Sequence, residues 1–548
     1  MRLNIRNNAY LILIPIGVLA GVFVGLFSLA LKYLALARES IPNKFLYLAL
    51  IFISIPSSYA LIQLFSDRKK TGSGLDNFLE TYHFRHGFVT LRTTFFNVLS
   101  SLATIGLGGS AGPEGPGLTI GSGIGSWLAQ KLKLDPKTMK RLHIVGASAG
   151  ISAIFHAPLA GTVFALEIPY LHDLEAEVFL WALIAAIIAY GVAIIITGPE
   201  QLFPFESKTI TITADLLITS VILGFLSAIT ALLFIYTFKA CKYRLQALPK
   251  NALPFLGGFI LASIGAFYPQ VLGTGYEVIR DIGFGMLEIS LFTAIILLFM
   301  KIIATSITLS TGGCGGLFVP SIYIGVMLGT AYYFSTNGLL NHPDQIVIIA
   351  AAVAGVFAAT NKTLLTAIVL VGEIFGPVVL LPSIITAIIS FLLTKNISIH
   401  ENQLPSKMNE KEMTLTIFSH EKAKMEALKN IKAQQIMTKD PVYLDADMSI
   451  ADALDKIKSY KFKVYPVVAN GKYAGYVTLD VLLSEAKDKR VLDAVVYSEP
   501  IKLETTMREI VERMIATRET HLYVTDKDNR LIGVVSQTDI LRIIFETF

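Results

Sequence analysis

Hydrophobic positions in this chain fall into long unbroken runs rather than the amphipathic stripes of soluble helices. Tyr10–Leu31, Val178–Gly198, Leu216–Phe238 and Ile374–Thr394 contain no Asp, Glu, Lys or Arg. Each is close to the ~20 residues that a helix needs to cross a bilayer. Leu46–Phe65 and Ile346–Asn361 are shorter or interrupted, and read as tilted, partial or re-entrant helices. The pattern changes near His400. Glu401–Lys429 reads as a polar linker, and Ile431–Phe548 combines strand alternation with amphipathic helical segments. Roughly half of all charged residues lie beyond that point. The chain therefore reads as a polytopic α-helical membrane protein followed by a soluble α+β module.

Composition agrees. Of 548 residues, 53% are hydrophobic and 16% charged, and the mean hydropathy is +0.61, too apolar for a soluble chain of this length. A net charge of +5 gives no reason to expect a nucleic-acid partner. Arg2 and Arg6 precede a first apolar run too long for a signal-peptide core, which favours a cytoplasmic N-terminus. Cys241 and Cys314 lie in apolar or Gly-rich surroundings and read as unpaired small hydrophobes.

Both parts are internally repeated. Gly108–Ser126, GGSAGPEGPGLTIGSGIGS, aligns without a gap on Gly312–Thr330, GGCGGLFVPSIYIGVMLGT. Downstream, Ala149–Glu167 aligns on Ala354–Glu373 with one residue of slippage. The membrane part thus holds two homologous halves, about residues 10–200 and 210–400. Such halves often have inverted topology, with a site where broken helices meet near the midplane. In the soluble part, "DPVYLDADMSIADALDKI" is echoed by "EPIKLETTMREIVERMIA", and each unit reads strand–helix–strand–strand–helix. Asn470-Gly471 and Asp528-Asn529 are its hairpin turns.

The matched Gly/Pro segments, Gly108–Pro116 and Gly312–Pro320, suit helices that begin inside the membrane. Such N-termini present unpaired N–H groups at the positive end of a dipole. Pro116 and Pro320 fit a first helical turn, where the missing N–H costs nothing. Converging N-termini bind an anion without a formal positive charge, and Lys and Arg are missing from 93–130 and 302–361. Glu114 is the one charged residue within Gly108–Gly121. In an anion site, a carboxylate is a tethered competitor that blocks when ionised and admits the anion when displaced or protonated. The alternative is a plain helix cap.

The motifs GSG at Gly72–Gly74, GPEGP at Gly112–Pro116 and GGLFVP at Gly315–Pro320 resemble, in order, the three anion-site motifs of the CLC family of chloride channels and chloride/proton exchangers. The resemblance covers about residues 10–404. It implies two inverted repeats, a homodimer in the plasma membrane, and a gating role for Glu114. It also implies anion contacts from Ser73, whose serine goes with chloride where proline goes with nitrate. Backbone donors at Leu317 and Phe318 and at Gly112 through Gly115 complete the implied site.

Three departures stand out. Leu75-Asp76 follows Gly74 where the family often has Ile-Pro, and Asp76 either slows anion entry or is an ordinary first-turn acid. Ile168 stands where exchangers usually carry a proton-loading glutamate, and the adjacent Glu167 reads as structural. His400 stands in place of an anion-binding tyrosine; a neutral imidazole would donate one hydrogen bond and an imidazolium would bind more strongly, unless the register slips and the ring faces water. His143 and His156 read as packing residues.

Residues 431–548 resemble a tandem pair of CBS domains, the first at 431–490 and the second at 491–548, after a linker at 401–430. Such pairs commonly bind adenine nucleotides such as ATP. The resemblance implies that Asp539 binds the ribose hydroxyls, that Ser536 lies near the phosphates and that Phe462 stacks on adenine. The first repeat has Asp480 one residue early.

No H-E-x-x-H occurs, which removes an intramembrane metalloprotease, and no acidic cluster marks a divalent-cation pore; no enzyme activity and no metal site are expected. The expectation is chloride transport gated by Glu114 and regulated at the CBS pair. The missing acid at Ile168 favours passive or loosely proton-coupled movement. The alternatives are a stoichiometric chloride/proton antiporter, or transport of another anion such as fluoride or nitrate.

Overall fold

The computed structural model describes residues 5–199, 212–245, 247–283, 286–287, 289–336, 344–407, 430–460, 462–484, 486–517 and 519–547. The chain divides into two compact units, Met1–Lys407 and Met408–Phe548. Part of the expected linker, residues 408–429, lies outside the described residues.

The first unit contains sixteen α-helices among its described residues. Its first half runs α1 (Ile5–Glu39), α2 (Lys44–Phe65), α3 (Gly74–Phe84), α4 (Leu91–Gly106), α5 (Glu114–Lys131), α6 (Pro136–Phe155), α7 (Pro158–Glu167) and α8 (Phe179–Thr197). The second half repeats this order as α9 (Ala214–Leu245), α10 (Leu253–Phe267), α11 (Tyr276–Gly283), α12 (Leu291–Ser310), α13 (Phe318–Thr336), α14 (Gln345–Asn361), α15 (Leu364–Phe375) and α16 (Leu380–Thr394). Packing repeats with the sequence: α5 lies on α6 and α13 on α14, while α1 lies on α8 and α9 on α16. Among the described residues, seven helices are long and apolar enough to cross a bilayer. Two differ from the run-based expectation. Leu46–Phe65 belongs to one full 22-residue helix. Ile374–Thr394 is broken at Gly376, whose φ of +89° separates α15 from α16.

Reciprocal hydrogen bonds tie the halves together. Gly112 N–H donates to Gly316 O at 2.9 Å, and Gly316 N–H donates to Gly112 O at 2.8 Å. Cys314 N–H donates to Thr104 Oγ1 at 2.9 Å, and Ser110 N–H to Thr308 Oγ1 at 3.2 Å. Positions 104 and 308, 110 and 314, and 112 and 316 are equivalent in the repeat, so each half completes the other's broken backbone. Gly108 and Gly312 make the matching turns at φ +114° and +122°, which a side chain rarely adopts.

Small residues let the helices approach at backbone distance. Gly117, Gly121 and Gly125 of α5 face Gly150, Gly146 and Leu142 of α6, and a Cβ at Gly121 would collide with the Gly146 carbonyl. In the second half, a Cβ at Gly325 or Gly329 would lie 2.6 Å from the Val353 or Ile349 Cα. This is the small-residue packing of membrane helices, where close backbone contact replaces the hydrophobic drive.

In the second unit, one repeat forms a three-stranded sheet. Its strands are β4 (Leu444–Asp445), β5 (Val464–Ala469) and β6 (Lys472–Thr478), with helices α18 (Ile450–Ile457) and α19 (Leu479–Ser484). In chain order β1 (Gly72–Ser73) and β2 (Cys314–Gly315) belong to the first unit, and β3 (Thr438–Lys439) follows the short α17 (Ala433–Ile436). The other repeat has β7 (Ile501–Lys502), β8 (His521–Thr525) and β9 (Leu531–Ser536), with α20 (Met507–Thr517) and α21 (Gln537–Thr547). β3 adds to this sheet, against β9. Ala433 and Ile436 lie in the core of the second repeat, whereas Val491 lies in that of the first. The segments flanking the first repeat are therefore exchanged between the two. Asn470 and Gly471 both have positive φ, as a two-residue type I′ hairpin requires. At the second hairpin only Asn529 does, because the Asp526 carboxylate instead organises a longer turn by accepting from the N–H groups of Asp528 and Arg530.

Gly121→Ala is expected to cost ~1–3 kcal/mol of stability through overpacking of α5 on α6. Gly191→Ala, where an added Cβ meets nothing within 4 Å, serves as the neutral control. Thermal unfolding of the purified protein in detergent compares them.

Candidate anion site

The three glycine motifs come together at one place. β1 pairs in parallel with β2, Gly72 facing Cys314 and Ser73 facing Gly315, and Gly72 N–H donates to Gly313 O at 3.0 Å. A Cβ at Gly74 would touch the Gly115 backbone at 3.0 Å, and one at Gly115 would lie 2.6 Å from Gly315 O. The N-termini of α3, α5 and α13 thus converge, and only glycine backbone allows the approach. Pro116 and Pro320 fall in the first turns of α5 and α13, as expected.

Glu114 lies inside this convergence and is 3% exposed. Its Oε1 accepts a hydrogen bond from Phe318 N–H at 2.5 Å, and its Oε2 has no hydrogen-bond partner among the described residues. A Cβ at Gly112 or Gly316 would collide with the carboxylate, so the gap between the two glycines is shaped to hold it. Phe318 is immobilised by stacking on Phe155 at 4.3 Å and by edge contacts with Phe357 at 4.2 Å and Phe164 at 5.1 Å. Leu317 is buried beside it, and Ser73 is buried with its Oγ unpartnered among the described residues. One expected donor is corrected: the Gly112 N–H closes the bridge to Gly316 O and is not directed at an ion. Gly115 instead supplies the close approach of α5 to Gly315.

Lys301 is a buried residue beside the site that the sequence reading missed. It is fully buried in α12, and its Nζ donates to the carbonyls of Val271, Gly273 and Thr274 at 3.0, 3.1 and 3.3 Å. It also lies over the Tyr323 ring at 4.9 Å and within electrostatic reach of Glu114. The sequence reading, from the stretches free of Lys and Arg, expected a site built from helix dipoles without a basic side chain nearby; the structure brings Lys301 within reach of Glu114. The usable signal was a lone lysine in an otherwise apolar span. The loop it holds, Gly273-Thr274-Gly275, precedes α11 as Gly72-Ser73-Gly74 precedes α3, a repeat match that also went unread.

Ile168 is fully buried at the end of α7 and offers no titratable group. Glu167 caps α15: its carboxylate accepts from the N–H groups of Leu365 and Thr366 at 3.0 and 2.8 Å, and from Thr366 Oγ1 at 2.7 Å. Glu373 reciprocates on α7, accepting from Leu159 and Ala160 N–H at 3.0 and 2.7 Å. His143 stacks on Phe78 at 4.9 Å with Nδ1 facing Ser122 O, and His156 ends α6 in the left-handed region facing Thr197 Oγ1.

His400 does not face water. Its side chain is fully buried, with Nδ1 3.2 Å from Asp76 Oδ1 and Nε2 3.1 Å from Asn361 Oδ1. Both ring nitrogens are engaged, so the expected single donation to an anion is not seen here. In the second unit, Asp539 Oδ2 accepts from Ser536 N–H and Oγ at 3.0 and 2.7 Å, and Oδ1 pairs with Arg542 at 2.7 Å. Oδ2 therefore caps the start of α21, while Oδ1 is engaged by Arg542 one turn further along the helix. Phe462 is 56% exposed and stacks on Tyr460 at 6.1 Å.

A chain of paired, broken helices with helix N-termini meeting inside the apolar part is a polytopic membrane protein of transporter architecture. Residues 55–395 match the voltage gated chloride channel family, and residues 433–488 and 498–546 match the CBS domain. The chain belongs to the CLC family of anion-transporting membrane proteins: its helices form two inverted repeats of the CLC type, followed by an α+β CBS pair. It is 31% identical over 388 residues to an uncharacterized protein of Methanocaldococcus jannaschii, covering 70% of this chain and 93% of that one. It is 26% identical over 347 residues to the H(+)/Cl(-) exchange transporter ClcA of Klebsiella pneumoniae, covering 62% and 71%. A eukaryotic CLC transporter shares the fold at a TM-score of 0.63 and 18% identity, over 97% of each chain.

Because Glu167 and Glu373 make equivalent caps, Glu167→Gln and Glu373→Gln are expected to destabilise by similar amounts, ~1–2 kcal/mol each. Melting temperatures of the two variants check this.

Proposed function

We propose that this chain carries chloride across the membrane along a path past Ser73 and the N-termini of α5 and α13, and that Glu114 gates it. The observation that carries this reading is the carboxylate seated on Phe318 N–H with its second oxygen unpartnered, where a permeating anion would be held by the same donor. An ionised Glu114 and a chloride ion compete for that place; protonation removes the competitor's charge and its claim on the N–H. Leu317 and Phe318 supply the backbone side of the site and Ser73 Oγ the hydroxyl side.

The mode we favour is passive or loosely proton-coupled. Protons reaching Glu114 from the side of Ile168 have no carboxylate to relay them, only water. The second reading, stoichiometric exchange, is supported by the retained Glu114 and by similarity to a Klebsiella protein named for H(+)/Cl(-) exchange. We place the protein in the plasma membrane as a homodimer, with the N-terminus and the CBS pair cytoplasmic. The CBS pair is the site of regulation by adenine nucleotide, with no obligatory cofactor.

Glu114→Gln is expected to raise chloride flux about three- to tenfold at neutral pH, the effect of losing one charged competitor, and to abolish its pH dependence. Chloride efflux from liposomes with internal pH recorded together tests both parts. Unchanged flux and pH response would remove the gate assignment, and sustained uphill proton movement at a fixed ratio in the wild type would establish the exchanger reading instead.

For the soluble pair, Asp539→Ala is expected to weaken ATP binding about tenfold by removing a charged acceptor from the ribose hydroxyls. Calorimetry on the full-length protein measures it, and lack of ATP binding by the wild type would refute nucleotide regulation.

A further inference from the structure

Two residues that depart from the family pattern, Asp76 and His400, are 324 positions apart in sequence and in direct contact. Asp76 lies in the first turn of α3, just after Ser73. The His400 ring lies between it and Asn361, the last residue of α14. Asn361 Nδ2 in turn faces Phe357 O at 3.2 Å and Ser321 Oγ at 3.5 Å, and Ser321 is in the first turn of α13. A continuous hydrogen-bonded bridge, Asp76–His400–Asn361–Ser321, therefore joins the N-terminal turns of α3 and α13. These are the turns that carry Ser73 and Phe318.

The bridge orients the ring. Asn361 Nδ2 donates to Phe357 O, which leaves Oδ1 toward His400 Nε2. Asp76 Oδ1 faces Nδ1. A carboxylate oxygen and an amide oxygen only accept, so against an ionised Asp76 both ring nitrogens donate, the arrangement of an imidazolium–carboxylate pair. The backbone around it is pinned: His400 N–H donates to Ser398 Oγ at 3.1 Å, Ile399 N–H to Thr360 O at 3.2 Å, and Gln403 Nε2 to the carbonyls of Tyr170 and Asn361 at 3.2 Å. Among the described residues, charges nearby include Lys239 and Lys242 of α9, Glu401, and the buried Lys362 next to Asn361, whose Nζ donates to Phe391 O and Thr394 Oγ1; Lys242 pairs with Glu401 at 2.7 Å, and Lys239 lies within electrostatic reach of Asp76 and Glu401.

We propose that Asp76 is a second tethered carboxylate of the anion path, holding His400 as an imidazolium and competing with the permeant anion for it, with Asn361 as the positioning residue that orients the ring. Where a tyrosine would offer a neutral hydroxyl, this chain offers a full positive charge already occupied by an internal anion. The logic repeats that of Glu114 on Phe318 N–H, with a charged side-chain donor in place of a backbone one. The proposal rests on the chloride path past Ser73.

The test is calorimetric chloride binding to full-length protein in the Glu114→Gln background, so that Glu114 does not compete. Asp76→Asn keeps the shape of the side chain and removes the competing charge, and chloride is expected to bind about fivefold more tightly than in the parent. Adding His400→Tyr to Asp76→Asn is expected to remove that gain while retaining binding, which a merely structural role for Asp76 would not produce. Unchanged affinity in Asp76→Asn, or a gain that survives His400→Tyr, overturns the proposal while leaving the chloride path standing. Absence of chloride binding by the parent overturns the chloride path and the proposal with it.

Discussion

A helix that breaks inside a bilayer leaves N–H and C=O groups that water cannot reach, and every one left unpaired costs several kcal/mol. The rest of the membrane unit depends on how this chain meets that constraint. Each half pairs the broken backbone of the other, through Gly112 and Gly316, Thr104 and Cys314, Thr308 and Ser110. Glu167 and Glu373 do the same for the starts of α15 and α7. An interaction that both halves make reciprocally needs equivalent residues in both, which is why the Gly/Pro segments match so closely in sequence. Neither half could bury these ends alone.

That exchange also creates the site. Once the glycine segments have paired with one another, the N-termini of α3, α5 and α13 are brought together, and Phe318 N–H at the start of α13 meets the Glu114 carboxylate. A negative charge stabilises such a cluster. In this structure, the Glu114 carboxyl meets Phe318 N–H and the Asp76 carboxyl meets His400. Lys301 lies close by, but its Nζ is held by the carbonyls of Val271, Gly273 and Thr274.

The soluble unit solves a smaller problem in a related way. Each CBS repeat has too few strands to close its own core. The segment Ala433–Lys439 completes the second repeat, and Val491–Val496 packs on and pairs with the first, where Val496 meets Tyr476. The boundary between repeats is therefore spatial as well as sequential.

The membrane class, both internal duplications, the strand–helix order of the CBS pair and the placement of Pro116 and Pro320 in first turns were determined by the sequence itself. Each depends on local chemistry: run length against bilayer thickness, the fixed φ of proline, the period of strands. Glu114 was legible for the same reason, as a lone carboxylate among glycines. What only the tertiary structure decided are the long-range pairings. Gly112 looked like an anion donor until Gly316 took its N–H, and Lys301 was hidden in a span whose other residues are apolar. Asp76 and His400 were each odd in isolation and became a pair only when α3 met the chain after α16. Contacts between positions hundreds of residues apart leave no periodicity in a single sequence, because their spacing is set by how helices pack and not by how the chain turns.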